Sequence, residues 1–182
     1  MKQLSKMSLS ELWQLFPIII SKPNLDWADW ARLEMEDLHK RLGPIALKIH
    51  HIGSTAIHSI MAKPIIDLLV ETTDASDFEG LKRKIIAAGY LCMNQTPTRI
   101  DFNKGYTPAG FAEKVFHLHL RLNGDHDEIY FRDYLNAHPD VAKEYEALKL
   151  SLWKRFEHDR DGYTNAKSDF VKHYTSLAKQ SN

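Results

Sequence analysis

The chain has 182 residues, enough for one compact domain with a sizeable core. Its 24 basic and 24 acidic side chains cancel, which argues against binding duplex nucleic acid by bulk charge but leaves room for a local basic pocket. With one cysteine the chain cannot form an internal disulfide, and the expected setting is a reducing, cytoplasmic one.

The opening "MKQLSKMSLSELWQLF" lacks the apolar core of a signal peptide. The apolar runs Phe16 to Ile20 and Ile65 to Val70 are too short to cross a bilayer, so no membrane partner is expected. Ser8 or Ser10 offers a cap for a short first helix that Pro17 should end, and 18–21 reads as a short strand. From Asp26, the apolar residues Trp27, Trp30, Ala31, Leu33, Leu38 and Leu42 recur at helical spacing until Gly43-Pro44 stops them. Residues 45–53 read as a strand that runs into Gly53-Ser54-Thr55. Residues 63–71 read as a second strand, apolar enough to be covered on both faces.

A helix follows over 74–89, then shorter strands over 90–94 and 98–106, with a loop from Tyr106 to Gly110. Residues 113–122 alternate cleanly. From Asp125 the pattern is helical: 127–138, then 139–159 with Pro139 in its first turn, then 163–179. The expected fold is α/β (α+β), one domain over 1–182. Residues 1–124 supply helices and a mixed sheet, and 125–182 supply a helical part. Trp13, Phe16, Trp27 and Trp30 are expected to pack helix on sheet, and Cys92, among apolar neighbours, is expected in the core. No zinc-protease, Walker, nucleophile-elbow or dinucleotide motif is present.

Two features call for chemistry. A Gly-Ser turn at a strand end lets backbone and hydroxyl approach a phosphate, and Asp67 on the next strand offers a carboxylate to a divalent cation. The alternative is a tight turn with a Ser cap and an acid at a strand margin. On the later strand, Val115, His117, His119 and Arg121 share one face, and Phe116, Leu118, Leu120 and Leu122 the other. Asp67, His117 and His119 together are a candidate set for Mg, Mn or Zn, with His119 also a candidate general base. The alternative is a wet face of locally bonded histidines. Lys63, Arg99, Lys104, Arg121, Arg132 and Lys167 are candidate cations for an anionic ligand, and Tyr163 shares a helix face with Lys167.

The segments "HIGSTAIHSIMAKPIIDLLVE", "FNKGYT", "HLHL", "FRDYLNAHP", "EYEALK" and "YTNAKSDFV", in that order, resemble the GrpB family over nearly the whole chain. The resemblance implies a nucleotidyltransferase-like mixed sheet flanked by helices, related to a domain fused to dephospho-CoA kinase in some proteins. It implies a cleft for a nucleotide or phosphorylated small molecule with a divalent metal. Gly53 and Ser54 match the Gly-Ser turn, with Thr55 beside them as a further candidate ligand residue, and Asp67 matches the first acid of the superfamily pattern. The second acid's position holds Leu69. Glu71 shares that face but lies about 13 Å along the strand at about 3.3 Å per residue, too far to share an ion with Asp67. The expected function is therefore a nucleotidyltransferase-like protein. The alternatives are a non-catalytic nucleotide or coenzyme-binding module and a metal-dependent phosphoester hydrolase.

Overall fold

The structure is a computed structural model that describes residues 2–181. In chain order the elements are α1 (Leu9–Leu15), α2 (Asp26–Leu42), β1 (Lys48–Ile52), β2 (Ile66–Thr72), α3 (Phe78–Ala87), β3 (Leu91–Gln95), β4 (Arg99–Thr107), β5 (Gly110–Leu122), α4 (Asp127–Ala137), α5 (Pro139–Trp153) and α6 (Arg160–Gln180). The five strands form one mixed sheet in the order β1-β2-β5-β4-β3. Only the β2–β5 pair is parallel. Its register sets Asp67 beside His117 and Leu69 beside His119.

Alternation explains the two sides of this sheet. Leu68 and Val70 of β2, Ile100 and Phe102 of β4, and Phe116, Leu118 and Leu120 of β5 point to one face. They pack there against Trp27, Ala31, Leu38 and Leu42 of α2 and Leu81 and Ile85 of α3. The other face carries Asp67, Asp101, His117, His119 and Arg121. Helices α4 to α6 cover it through a second cluster that includes Phe131, Leu135, Val141 and Tyr145. β2 is thus covered on both sides, as its apolar run implied.

The local signals that set the elements are mostly those in the sequence. Ser8 caps α1 in a capping box with Glu11. Pro139 opens α5, and Asp159 caps α6 by accepting from the Gly162 amide. Three expectations are corrected. Residues 18–20 form no strand: Ile18 and Ile20 are buried, and Ser21 alone bridges Ala62. α5 ends at Trp153 rather than at 159, because the Trp153 indole turns in to donate to the Ile18 carbonyl at 2.6 Å. Cys92 is exposed, as is every residue of the edge strand β3. Residues 106–110 tighten into a hairpin that extends β5 back to Gly110.

Leu118 is fully buried at the centre of the sheet between β2 and β4. Leu118→Ala is expected to cost about 2–5 kcal/mol, read as a lower urea midpoint with an unchanged slope.

Candidate functional site

β2 delivers the Asp67 carboxylate to the helix-covered face, directly under the turn after β1. Gly53 has φ +71°, and a Cβ there would lie inside the radius of the Asp67 carboxylate. Glycine is therefore required twice over, for the left-handed backbone and for the close approach. The Thr55 hydroxyl braces this turn by donating to the Ile65 carbonyl at 3.2 Å and meeting His51 Nε2 at 2.9 Å.

Asp67 is held by a directional chain. Arg160 Nη2 donates to the Tyr106 hydroxyl at 2.8 Å. Guanidinium has only donors, so the phenol proton goes on to His117 Nε2, also at 2.8 Å. His117 then carries its own proton on Nδ1, 3.1 Å from Asp67 Oδ1. Burial lowers the His117 pKa and outweighs its carboxylate partner, in keeping with a neutral ring. Burial would raise Asp67, but the hydrogen bonds and charge of His117 and His119 hold it well below the usual carboxylate range.

A β-bulge makes this chain possible. By simple alternation Tyr106 would share the face of Lys104. Between the Lys104–Phe116 and Tyr106–Phe111 pairs β4 advances two residues and β5 five, so the extra residues lie on β5. Gly105, at φ +90°, breaks the alternation of β4 there, and the Tyr106 hydroxyl reaches His117.

Beside the chain, Asp101 Oδ1 takes His119 Nδ1 at 2.8 Å and Arg121 Nη2 at 2.7 Å. Burial disfavours charge on His119, yet Asp101 and Asp67 overrule it and raise its pKa to about 9. That shift favours the imidazolium, the form that donates a proton rather than accepting one as the expected general base would.

Asp67, His117 and His119 open into a cavity of about 600 Å³ roofed by α4, α5 and α6. Of the expected ligand residues, Gly53, Ser54, Lys63, Tyr163 and Lys167 line it as well. Sequence reasoning missed Lys149 and Tyr145, which enter from α5. Lys149 is 2% exposed, with its ammonium on the Met61 carbonyl and 4.9 Å from the Tyr145 ring centre. Lys167 stands 4.2 Å over the Tyr163 ring. Burial first lowers both Lys149 and Lys167 to about 7; Glu146 opposes the shift at Lys149 and Lys63 adds to it, while Lys63 and Lys149 add to the shift at Lys167. Burial and Arg160 lower Lys63 to about 8. The Tyr163 hydroxyl is buried without a hydrogen-bond partner.

Four expected ligand residues lie elsewhere. Lys104 faces the opposite side with Ile100 and Phe102, by strand parity, and pairs there with Glu34 at 2.6 Å. Arg132 donates to the His51 carbonyl at 2.7 Å and so ties α4 to β1. Arg121 shares the right face but is buried under Asp101. Thr55 braces the turn, as above. Arg99, the remaining candidate cation, pairs with Asp125 at 2.7 Å on the surface.

The expected metal does not fit this arrangement. Both nitrogens of His117 are engaged, His119 is protonated toward Asp101, and Leu69 is wholly buried where a second acid would stand. Among the described residues no three His, Cys, Asp or Glu side chains are grouped to hold an ion.

Comparison with known proteins gives a consistent picture. A family model described as GrpB protein matches residues 17–176. The glutamate-rich protein GrpB of Alkalihalophilus pseudofirmus is 37% identical over 79% of this chain and 87% of its own length. The UPF0157 protein YqkA of Bacillus subtilis is 32% identical over 94% of this chain, which spans only 51% of that protein. A dephospho-CoA kinase of Mycolicibacterium paratuberculosis is 24% identical over 86% of this chain and 44% of its own length. Among solved structures, the conserved protein GrpB of Enterococcus faecalis superposes with a TM-score of 0.78 and 27% identity, covering 90% of this chain and 98% of its own. The Cid1 poly(U) polymerase, solved with MgGTP bound, superposes with a TM-score of 0.50 and 16% identity over 71% of this chain and 42% of its own, a likeness of fold. The fold is thus nucleotidyltransferase-like, with a five-stranded mixed sheet and six α-helices among the described residues. No helix among the described residues is long and apolar enough to cross a membrane.

The Asp101–His119 pair makes stability depend on pH. The folded pKa of His119 is about 9 against 6.5 for the free side chain, so its contribution is complete below about 6.5 and is lost as pH rises through about 9. In an NMR titration the His119 ring should turn over near pH 9, and in Asp101→Asn at a lower pH. The stability difference between the two proteins in urea should shrink across the same window. Equal midpoints in both proteins would refute the pairing.

Proposed function

The chain belongs to the GrpB family, and on that footing we propose that it binds a nucleotide or related phosphorylated small molecule in the cavity between sheet and C-terminal helices. The observation that carries this reading is the meeting of Lys63, Lys149 and Lys167 around one cavity, each with its charge disfavoured by burial. Buried ammonium groups that repel one another are costly unless an anion joins them. A phosphate chain supplies several acceptor oxygens and enough charge for all three. The Gly53-Ser54 turn and the unpartnered Tyr163 hydroxyl add polar groups on the same wall. A cavity of about 600 Å³ suits a nucleotide-sized ligand, within a typical range of roughly 300–1,000 Å³.

Binding without metal-dependent turnover is the favoured form of this reading. The donor set around Asp67 gives no support for a protein-held metal, so neither nucleotidyl transfer nor metal-dependent ester hydrolysis is derived from it. Asp67 with neutral His117 instead forms a fixed acidic floor that accepts hydrogen bonds from a ligand's hydroxyl or amino groups.

Calorimetric titration of ATP and of inorganic tripolyphosphate, both in EDTA, tests the reading. Saturable binding is expected with both. Lys149→Met and Lys167→Met should each weaken it at least about tenfold, as loss of a charge-assisted hydrogen bond does. No heat with the wild type, or undiminished affinity in both variants, would sink it.

The same substitutions should raise the melting temperature of the ligand-free protein, because each removes a buried, repelled charge. Proton linkage gives a further check. An anion favours the charged lysines, so binding takes up protons where they are partly neutral. Affinity should therefore fall as pH rises from about 7 to about 9, the reverse of what a metal-bridged ligand would give.

A further inference from the structure

Beyond the lysine cavity, on the far side of Lys63, lies a second cavity of about 390 Å³. It forms where the segment before α2 crosses the start of β2 and the β4–β5 hairpin. Its walls are Trp27 and Trp30 of α2, Phe111 and Val115 of β5, and the chain from Pro17 to Ile19. Trp30 is half-buried, with one ring face 5.4 Å from the Lys114 ammonium. Three aromatic side chains, Trp27, Trp30 and Phe111, thus line this cavity.

The charged groups at the second cavity are unequal. Lys22, Lys63 and Arg160 line it, against one carboxylate, Glu113. Arg160 is placed with care. One of its nitrogens is committed to the Tyr106 hydroxyl, and its guanidinium lies 5.4 Å over the Tyr106 ring. The rest of its fork remains as donors at the cavity edge. Lys63 and Ile65 belong to both cavities, so the two share a wall.

We propose that this second cavity is a separate small-molecule site for a planar aromatic acid, its ring held by Trp30 and Phe111 and its anionic group by Arg160 and Lys63. The volume admits a one- or two-ring compound but not a whole nucleotide beside its walls. Aromatic faces take the ring in offset or edge contact, and a guanidinium takes a carboxylate bidentately. A neutral apolar guest would leave the cations of this cavity uncompensated, which is the argument from charge for an acid.

The site is also connected to the first. Arg160 donates to Tyr106, Tyr106 to His117, and His117 to Asp67, which lines the lysine cavity. An acid that draws Arg160 toward itself weakens the first bond of that chain. Lys63 is the one ammonium common to both cavities, so two anionic ligands compete for it. The inference does not rest on the phosphate reading, because no residue outside Lys63 and Ile65 is shared.

The test uses 1-naphthoate as probe and 1-naphthamide as its uncharged counterpart. Binding is followed through the tryptophan indole N–H signals of the ¹⁵N-labelled protein. The chain has four tryptophans, and Trp27 and Trp30 line the cavity while Trp13 lies away from it. Naphthoate should shift the Trp27 and Trp30 signals saturably and leave Trp13 in place. Naphthamide should bind at least about tenfold more weakly. Arg160→Gln and, separately, Trp30→Ala should each weaken naphthoate about tenfold while keeping a dispersed, folded spectrum. Equal binding of the neutral amide, movement of Trp13 with the others, or no shift up to the solubility limit would each overturn the proposal. A polyphosphate titration of the same samples reads the lysine cavity independently, so failure at one cavity is distinguishable from failure at the other.

Discussion

A carboxylate placed on a helix-covered sheet face has to be compensated, and the way Asp67 is compensated organises this protein. Four groups in a row, Arg160, Tyr106, His117 and Asp67, pass hydrogen bonds in one direction from the start of α6 through β4 and β5 to β2. Each link fixes the proton of the next, so the chain from the Tyr106 hydroxyl to Asp67 has one protonation pattern. Beside it, Asp101 pairs with both His119 and Arg121. Two acids, one imidazolium and one guanidinium then balance across the face. The polar layer is tied into the sheet rather than left as a set of isolated charges.

That balance leaves Lys63, Lys149 and Lys167 of the neighbouring cavity without an ion pair of their own among the described residues. The Lys149 ammonium rests on a backbone carbonyl, and Lys63 and Lys167 both lie near the Tyr163 ring. Cation–π contacts and a carbonyl soften the cost of burying charge but do not remove it. Stability alone would not select such an arrangement. The cost is instead consistent with a site held ready for an anion, where ligand-free stability is traded for affinity.

Glu71, two turns of alternation beyond Asp67 on the same strand face, shows that the same constraint is met differently a short distance away. It is 2% exposed and held between His50 at 2.9 Å and His126. There the acid joins β1, β2 and the segment before α4. One strand thus carries a buried acid and a half-buried one with different duties: Glu71 closes the structure, and Asp67 faces the space in which a ligand fits.

Much of this was legible in the sequence, because period-two alternation on a strand is set by covalent geometry. The split of β5 into a His-Arg face and a Phe-Leu face followed from "VFHLHLRL" alone, as did the burial of β2 and the place of the Gly-Ser turn before Asp67. Leu69 showed that the acid pattern was incomplete before any coordinates did. Parity also placed Lys104 away from the site, a signal that went unused. The Tyr145 and Lys149 pair repeats the i,i+4 spacing of Tyr163 and Lys167, and this was a readable hint of a second lysine. Other features needed the folded chain. The break in alternation at Gly105 lets Tyr106 reach His117, and only strand register reveals it. The pairing of Asp101 with His119 and the meeting of Lys63, Lys149 and Lys167 join residues far apart in the chain. The sequence by itself determined which side chains each element offers and on which face, because that is local backbone geometry. Tertiary structure decided which of them meet and what charge each can hold, because burial and the distance between charges exist only once the helices close over the sheet.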